Sequence, residues 1–397
     1  MEYSKRISSL ESSPTVALNT KAKAMVRDGI DVLNFAVGEP DFSTPKYIVD
    51  EAIKALENGK TKYGPPGGSP DLRKAISEKL KRENKLEFSP DSIVCGTGAK
   101  QIILHTFLAV CNEGDEILVP APYWVSYPEQ IKAAGATPVV VPMQGLKKPI
   151  TAEGLEKAKT NKTRGLVLNS PNNPGGFLMS QEDLTEIAEW LRKNPDIWVL
   201  SDEIYEYMVF GGEHISLLNV APDLKDRVFY VNGFSKGYAM TGWRVGYVAG
   251  PDEGVRLIKL LQSQSSTCLP PFIEAGAIVA VDKGKPAISA QLDKLAARRD
   301  LTVKLLNEIP GIEYMEPQGA FYAFIDCRDS LKNHPDFGPT NTLAFGEHLL
   351  LKHHIAVVPG EAFGAAGFLR FSYATDEKTI TEGLERFKKA IEEIRSI

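Results

Sequence analysis

Between residues 92 and 249 the sequence alternates short apolar segments with amphipathic segments of helical periodicity. This alternation is typical of a mostly parallel β-sheet covered by helices on both faces. Ligands bind beyond the C-terminal ends of the strands in such sheets, so functional side chains are expected directly after each strand. The predicted strands are Ser92–Cys95, Glu116–Val119, Thr137–Val141, Gly165–Leu168, Ile197–Leu200, Val228–Val231 and Val245–Ala249.

The flanking segments predict a second, smaller layer of the α+β type. Its predicted elements are a helix at Val16–Val26, a strand at Asp31–Val37, a helix at Lys285–Leu306, two strands within Gly311–Asp326, strands at Ile355–Val358 and Phe368–Tyr373, and a helix at Asp376–Ile397. The predicted fold class is α/β, with a large domain at residues 46–284 and a small domain formed by residues 1–45 and 285–397.

Composition and charge narrow the function classes of this 397-residue chain. A net charge of −5 argues against nucleic acid or an anionic membrane as the main partner. The N-terminal residues lead into no apolar signal segment, and no apolar run reaches the length of a membrane span. We therefore expect a cytoplasmic protein. Neither disulfides nor a metal site are expected, because the cysteines are widely spaced, at Cys95, Cys111, Cys268 and Cys327.

Lys236 and Arg244 follow the predicted strand Val228–Val231. Desolvation at the mouth of an apolar sheet lowers the pKa of a lysine and leaves a neutral amine that attacks carbonyls. Arg244 is permanently charged and suits bidentate capture of a phosphate. Together the two residues indicate an aldehyde cofactor with a phosphate group, pyridoxal 5′-phosphate (PLP). The alternative is that both are surface charges beside a strand.

Polar and aromatic residues also follow other predicted strands. Asn173 lies in the loop NSPNNPGG, Asp202 ends an apolar strand, and APYWVSYPE contributes Trp124 among three aromatic residues. A buried carboxylate needs a partner such as a protonated pyridine nitrogen, although Asp202 alternatively caps a helix. The segment Gly96–Lys100 joins a strand to a helix and suits a phosphate, but glycines at such turns are often only geometric.

Two residues of the smaller layer complete this set. Arg370 lies in the apolar strand FLRFSYA, where burial of its charge requires an anion. The alternative for Arg370 is an edge-strand position that faces water. Gly38 opens the segment GEPDFSTP and either permits a tight turn or lets the backbone approach a ligand.

Five segments occur in an order that resembles the class I aminotransferases of fold type I: PYWVSYPE, NSPNNPGG, SDEIYE, SKGYAMTGWRVGY and RFSYAT. The resemblance covers the chain from about Arg6 to Ile397 and is closest to the branch that contains bacterial aspartate, prephenate and aromatic aminotransferases. It implies a homodimer with shared active sites and a large domain that binds PLP.

The resemblance also implies roles around the cofactor ring. Lys236 would form the internal aldimine, and Asp202 would keep the pyridine nitrogen protonated. Tyr205 and Asn173 would bond to the phenolic oxygen of the ring, and Trp124 would stack on its face.

Phosphate contacts are implied for Arg244, Ser235 and the backbone of Gly98 and Ala99. Tyr63 would reach the phosphate of the neighbouring subunit.

For the substrate, the resemblance implies that Arg370 holds the α-carboxylate with help from Asn173 and the Gly38 backbone, beside Trp124. Lys100 matches the position that binds the distal carboxylate of dicarboxylic substrates, although it is alternatively an exposed residue of the first helical turn.

The chain departs from the family pattern at two glycines. Gly175 replaces a threonine, for which we expect a local change of the loop without loss of chemistry. Gly233 replaces a hydroxyl residue that binds phosphate in many relatives, which leaves Ser235 in question as a full replacement.

The implied reaction is ping-pong transamination, in which L-aspartate and 2-oxoglutarate give oxaloacetate and L-glutamate. Prephenate and aromatic amino acids are alternative substrates. A PLP-dependent lyase or decarboxylase on the same fold, and a non-enzymatic sensor domain, are the alternative functions.

Overall fold

The structure, a computed structural model, describes residues 1–11 and 14–396. Its helices are α1 (Lys5–Ser8), α2 (Pro14–Arg27), α3 (Lys46–Glu57), α4 (Pro70–Lys79), α5 (Gly98–Val110), α6 (Ser126–Ala133), α7 (Ala152–Ala158), α8 (Gln181–Lys193), α9 (Leu217–Val220), α10 (Asp252–Gln264), α11 (Pro271–Lys283), α12 (Ser289–Leu306), α13 (Arg328–Leu331), α14 (Thr342–Lys352) and α15 (Glu377–Arg395). Among these described residues, no helix combines the length and apolar character needed to cross a bilayer.

The strands form three separate sheets. They are β1 (Leu33–Asn34), β2 (Ile93–Thr97), β3 (Glu116–Pro120), β4 (Thr137–Val141), β5 (Thr163–Asn169), β6 (Trp198–Asp202), β7 (Val228–Gly233), β8 (Val245–Ala249), β9 (Glu313–Met315), β10 (Tyr322–Asp326), β11 (Ile355–Ala356), β12 (Val358–Pro359) and β13 (Phe368–Ser372).

The largest sheet has seven strands in the order β2-β8-β7-β6-β5-β3-β4. Strands β4, β3, β5, β6 and β7 run parallel, whereas β8 runs antiparallel to β7 and β2. The C-terminal ends of β2, β5, β6 and β7 consequently meet at one edge of the sheet. Asn169 and Asp202 are paired neighbours at that edge. The predicted fold class is confirmed.

Helices cover both faces of this sheet because its strands are apolar on both faces. Leu166 and Leu168 of β5 belong to one hydrophobic core, whereas Val167 between them belongs to the core on the opposite face. Successive side chains of a strand point to opposite faces, so a continuous apolar run requires cover on both sides. This double burial holds the strand ends, and the loops that follow them, in fixed positions.

The other two sheets lie in the smaller layer. Strands β12-β13-β10-β9 form an antiparallel sheet, and β1 pairs in parallel with β11. The rings of Phe35 and Phe371 stack with centroids 3.9 Å apart, which joins the N-terminal segment to β13. Helix α15 covers this layer; its Asp376 side chain accepts a hydrogen bond from the Thr379 backbone N–H at 3.0 Å.

Three predicted elements of the smaller layer differ from the observed ones by more than one or two residues at their ends. The strand expected at Asp31–Val37 is only two residues long, because the Asn34 side chain accepts a hydrogen bond from the Ala36 N–H and turns the backbone there. The strand expected at Ile355–Val358 divides between two sheets, as β11 and β12. The helix expected at Lys285–Leu306 begins with a 3₁₀ turn that contains Pro286 and becomes α-helical at Ser289.

Candidate active site

A cavity of about 440 Å³ lies at the C-terminal edge of the large sheet, against β10 and β13 of the smaller layer. Most residues predicted for the site line it: Gly38, Ala99, Lys100, Trp124, Asn173, Asp202, Tyr205, Ser235, Lys236, Arg244 and Arg370. Gly98 packs against the Arg244 guanidinium. Tyr63 is absent from the lining and is 89% exposed.

Lys236 lies in the loop that connects the antiparallel neighbours β7 and β8. Its Nζ donates a hydrogen bond to the Gly38 carbonyl and lies 5.8 Å and 5.6 Å from the ring centroids of Tyr205 and Phe321. Burial, followed by the positive charge of Arg370, lowers the pKa of Lys236 to about 8. Lys236 is therefore a buried amine that releases its proton far more readily than an exposed lysine.

The backbone of Gly38 distinguishes between its two interpretations, as a tight-turn residue and as a point of close approach to a ligand. This glycine has no left-handed φ, so a special turn conformation does not require it. A Cβ added at this position would lie 3.2 Å from the Tyr322 hydroxyl. Gly38 thus allows close approach of its backbone to the cavity.

Asp202 is the last residue of β6 and is 4% exposed. Its Oδ2 accepts a hydrogen bond from the Tyr127 hydroxyl at 2.7 Å, and its Oδ1 accepts one from the Ile204 N–H at 3.2 Å. Burial raises the pKa of Asp202 to about 6. The Ile204 contact is a local turn rather than the cap of an α-helix, and one side of the carboxylate faces the cavity.

Tyr205 and Asn173 are buried next to each other. The Tyr205 hydroxyl lies 3.0 Å from the Tyr322 hydroxyl and 3.5 Å from Asn173 Nδ2. Burial, followed by the proximity of Tyr322, raises the pKa of Tyr205. This phenol therefore stays protonated and offers a hydrogen-bond donor.

Arg370 is 3% exposed and lies on β13, which has β12 on one side and β10 on the other. The edge-strand alternative is therefore wrong. Its guanidinium donates to Asn173 Oδ1 at 3.1 Å and to the Ala36 carbonyl at 2.8 Å, and it lies 4.5 Å from the Tyr322 ring centroid.

No carboxylate pairs with Arg370 within the described residues, and its Nε has no hydrogen-bond partner there. Burial lowers the pKa of this guanidinium. A buried arginine charge without a carboxylate is costly, and an incoming anion relieves that cost. Arg370 has the properties of an anion receptor.

The N-terminus of α5 provides a second anion receptor. Helix α5 has no acidic residue in its first turn and no side-chain cap at Thr97, so its first N–H groups lack a side-chain partner, and Ala99 and Lys100 of this turn line the cavity. Gly98 has φ +80°, and a Cβ there would lie 2.5 Å from Arg244 Nη2. Ser235 is 6% exposed and lines the same cavity. These groups have the charge and the hydrogen-bond donors that a phosphate requires.

Lys100, in the first turn of α5, lies with its Nζ 5.0 Å from the Trp124 ring centroid. Desolvation, followed by the charge of Arg244, lowers its pKa. The indole of Trp124 in turn packs edge-on against Tyr127 at 5.2 Å. Lys100 therefore lines the cavity, and it is at the same time an exposed residue of the first helical turn, as the alternative expects.

Both departures from the family pattern have a local explanation. The Gly175 N–H donates to Asn172 Oδ1 at 2.7 Å, and a Cβ at Gly175 would lie 2.7 Å from Phe177. A threonine would not fit this loop as it is folded. A Cβ at Gly233 would lie 3.1 Å from the Val245 carbonyl, so this strand end is also closely packed.

Sequence reasoning gave no role to Tyr127 or Tyr322. Tyr127 is one of three aromatic residues after β3, and the signal for it is its place in the first turn of the short helix α6, three residues after Trp124. Tyr322 lies in β10, and its position in the cavity follows from the packing of one sheet against the other.

A cavity lysine, a buried carboxylate and an arginine beside a helix N-terminus lie together at the strand ends of this sheet, which is the arrangement expected for a fold type I PLP enzyme. Residues 30–387 match the family described as aminotransferase class I and II. The chain belongs to this family: it is an aminotransferase, and its cofactor is PLP. The predictions of family, cofactor and enzyme class are confirmed.

Relatives match the chain over nearly its full length. It is 44% identical to a probable aspartate/prephenate aminotransferase of Aquifex aeolicus, over 98% of both proteins. The crystal structure of the aspartate aminotransferase from Rhizobium meliloti is 39% identical, with a TM-score of 0.94 over 99% of both chains. An aspartate aminotransferase from Thermus thermophilus with maleate is 37% identical, with a TM-score of 0.90 over 98% of this chain and 100% of that one.

Proposed function

We propose that this enzyme transfers the amino group of L-aspartate to 2-oxoglutarate, giving oxaloacetate and L-glutamate in a ping-pong reaction. The observation that carries the proposal is that Arg370 and Lys100 line one cavity, and neither pairs with a carboxylate among the described residues. Two cations suit a substrate with two carboxylates. The Thermus relative, solved with the dicarboxylate maleate, supports the same substrate class.

The residues present fit PLP. The unfilled α5 N-terminus, Arg244 and Ser235 would take its phosphate, Asp202 would face its pyridine nitrogen, and Lys236 would attach to its aldehyde. Asn173 and the protonated Tyr205 would bond to its phenolic oxygen, with Trp124 beside the ring. When bound, PLP withdraws electrons from the amino-acid Cα and so acidifies the Cα–H bond.

Lys236 would act as the proton carrier of the reaction. Its pKa of about 8 leaves a substantial neutral fraction near neutral pH. The neutral amine would take the proton from the substrate Cα, and the resulting ammonium would hold that proton for return to the reacting centre. The Gly38 carbonyl, which accepts a hydrogen bond from Lys236 Nζ, limits the motion of the amine between these positions.

Asp202 would keep the pyridine nitrogen protonated. A buried carboxylate is more favourable next to a cation than alone, so a pyridinium and Asp202 stabilise each other's charges. The Tyr127 hydroxyl holds the other carboxylate oxygen and fixes its orientation.

Arg370 would bind the substrate α-carboxylate, and Lys100 the distal one. Contact at both ends sets the rotation of the substrate, so that the Cα–H bond stands perpendicular to the cofactor ring. Asn173 contacts both Arg370 and Tyr205 and therefore links the carboxylate site to the ring site.

A steady-state comparison of donors tests this substrate assignment. In the variant Lys100→Met, the KM for L-aspartate should rise about 10- to 100-fold, because one charge-assisted contact is lost. The KM for L-phenylalanine should change less than about threefold, since this substrate has no distal carboxylate. Lys157→Met, at an exposed lysine of α7, is the matched control.

Two results would change the assignment. Faster turnover with prephenate than with aspartate would favour the second activity named for the Aquifex relative, since prephenate is also a dicarboxylate. Equal effects of Lys100→Met on aspartate and phenylalanine would remove Lys100 from the substrate site.

We also propose a homodimer in which Tyr63 completes the active site of the neighbouring subunit. This aromatic side chain is 89% exposed, yet its loop is fixed, because the Gly64 N–H donates to Cys268 Sγ at 3.3 Å. A fixed and exposed tyrosine suits a contact with a partner.

The homodimer proposal predicts a molar mass in solution of twice the chain, measured by sedimentation. Tyr63→Phe should weaken PLP binding about 10-fold, the effect of one lost hydrogen bond to a charged group. Tyr3→Phe, at another exposed tyrosine, is the control. A monomer whose PLP affinity is insensitive to Tyr63→Phe would contradict the proposal.

We also propose that the enzyme is cytoplasmic. All four cysteines are free thiols, which suits the reducing cytoplasm. Recovery of the enzyme in another cell fraction would contradict this assignment.

We further propose a large domain of residues 46–284 and a small domain of residues 1–45 and 285–397. The strands support this division, since the large sheet uses only residues 93–249. Hydrogen exchange that showed no difference in protection across these boundaries would argue against it.

A further inference from the structure

The segment 237–243, here called the lysine–arginine loop, connects Lys236 to Arg244 and has an unusual backbone. Ala239 has φ +51° and Arg244 has φ +57°, both in the left-handed region that residues with a Cβ rarely adopt. Such a backbone persists only where surrounding contacts hold it in place. The contacts that hold this loop therefore also determine where its two flanking charged side chains point.

One hydroxyl contacts the loop at two places. Thr44 Oγ1 donates a hydrogen bond to the Ala239 carbonyl at 2.7 Å and accepts one from Trp243 Nε1 at 3.0 Å. The first contact fixes the backbone at Ala239. The second fixes the side chain of Trp243, which directly precedes Arg244. Thr44 lies 195 and 199 positions before these partners in the chain.

Thr44 itself belongs to a segment that is anchored independently of the loop. It lies in GEPDFSTP, directly before Pro45, the N-cap residue of α3. Asp41 in the same segment forms a bidentate ion pair with Arg298 of α12, at 2.7 and 2.8 Å. The hydroxyl is thus presented from a fixed backbone, as a positioning group requires.

A second link between the two segments is weaker. The Thr241 hydroxyl donates to Glu39 Oε2 at 2.9 Å, but Glu39 is exposed and water competes for its carboxylate. Thr44 is half-buried, so its two hydrogen bonds are better protected from water than this contact.

We propose that Thr44 is a positioning residue, whose hydroxyl holds the lysine–arginine loop so that Lys236 and Arg244 face the same cavity. This inference rests on the proposed function, in which Lys236 attaches to PLP and Arg244 binds its phosphate. Thr44 touches neither substrate nor cofactor, and it acts through the Ala239 carbonyl and the Trp243 indole.

Thr44→Val keeps the shape of the side chain and removes both hydrogen bonds. The Kd for PLP, measured by adding PLP back to cofactor-stripped enzyme, should rise about tenfold. The kcat should fall by a similar factor, while the KM for L-aspartate stays within about twofold, because Arg370 and Lys100 lie outside the loop. Thr44→Ser should restore the wild-type Kd, and Trp243→Phe, which removes one bond, should raise it about threefold.

Thr342→Val is the matched control. The Thr342 hydroxyl lies in the small layer, where it donates a hydrogen bond to Glu361 and accepts one from the Gly367 N–H. It should lower the thermal midpoint without changing the PLP Kd. Fluorine NMR of fluorotryptophan-labelled holoenzyme should show a shifted Trp243 resonance in Thr44→Val and an unshifted one in Thr342→Val.

The outcomes separate this inference from the function on which it rests. If the wild-type enzyme does not bind PLP at residue 236, the proposed function fails. If the wild-type enzyme binds PLP there, and Thr44→Val matches it in Kd and kcat, the positioning role is overturned. If Thr44→Val does not fold, wild-type values of Kd and kcat in Trp243→Phe overturn it instead.

Discussion

The variant Lys236→Ala is expected to lose covalent attachment of PLP and at least about 10⁴-fold in transamination rate. The substitution removes the amine that would attach to the cofactor, and with it the group that would carry the proton from the substrate Cα. No other lysine bonds to the cavity backbone at Gly38 among the described residues. Visible absorbance, and the mass of the peptide around residue 236 after borohydride reduction, measure the attachment directly.

Lys157→Ala is the matched control, because Lys157 is an exposed lysine that pairs only with Glu153 within the described structure. It should keep wild-type absorbance and turnover. Unchanged visible absorbance in Lys236→Ala, or a borohydride label on another lysine, would remove Lys236 from its role.

The pKa of Lys236 adds a pH dependence to this prediction. Burial lowers this pKa to about 8, so the neutral amine increases as pH rises through 8. The rate at which cofactor-stripped enzyme captures PLP should therefore rise from about pH 6.5 and level off above about pH 9. A rate that still increases near pH 10 would indicate an ordinary exposed lysine.

The sequence predicted the large sheet well because its strands are short apolar runs between turn residues. Thr137–Val141 and Val245–Ala249 have the predicted bounds, and the other predicted strands of this sheet shift by one or two residues at their ends. The rule that function follows strand ends then located Asn173, Asp202 and Lys236, because one edge of the sheet brings these residues together.

What the sequence could not predict are contacts between distant segments. The parallel pairing of β1 with β11 and the Thr44 contacts to the lysine–arginine loop join residues that are about 200 or more positions apart and leave no local pattern. The sequence also could not predict which charged side chains are buried. Its pattern allowed Arg370 to face either water or an anion, and only the position of β13 between two other strands shows that Arg370 is buried. Only the folded chain shows that Tyr127 reaches Asp202.

The second large effect is expected for Asp202→Asn, which keeps the size of the side chain and removes its charge. If Asp202 holds the pyridine nitrogen protonated, kcat should fall about 10²- to 10³-fold, as for other lost electrostatic contacts to a developing charge. The amide oxygen can accept from the Ile204 N–H while the amide nitrogen donates to the Tyr127 hydroxyl, so the fold around β6 should remain. Single-turnover conversion with L-glutamate measures the chemical step without product release.

The pH dependence of PLP binding distinguishes loss of this charge from a general disturbance. The pKa of Asp202 in the cofactor-free enzyme is raised to about 6, so the carboxylate gains a proton as pH falls through 6 and loses its attraction for a pyridinium. Wild-type PLP affinity should therefore decline more steeply below about pH 6 than that of Asp202→Asn, which keeps only the dependence due to Lys236. Asp226→Asn, at an exposed aspartate, should behave as wild type. Equal turnover by Asp202→Asn and wild type would mean that the pyridine nitrogen needs no carboxylate partner in this enzyme, and the role of Asp202 would then be limited to holding Tyr127 and the turn at Ile204.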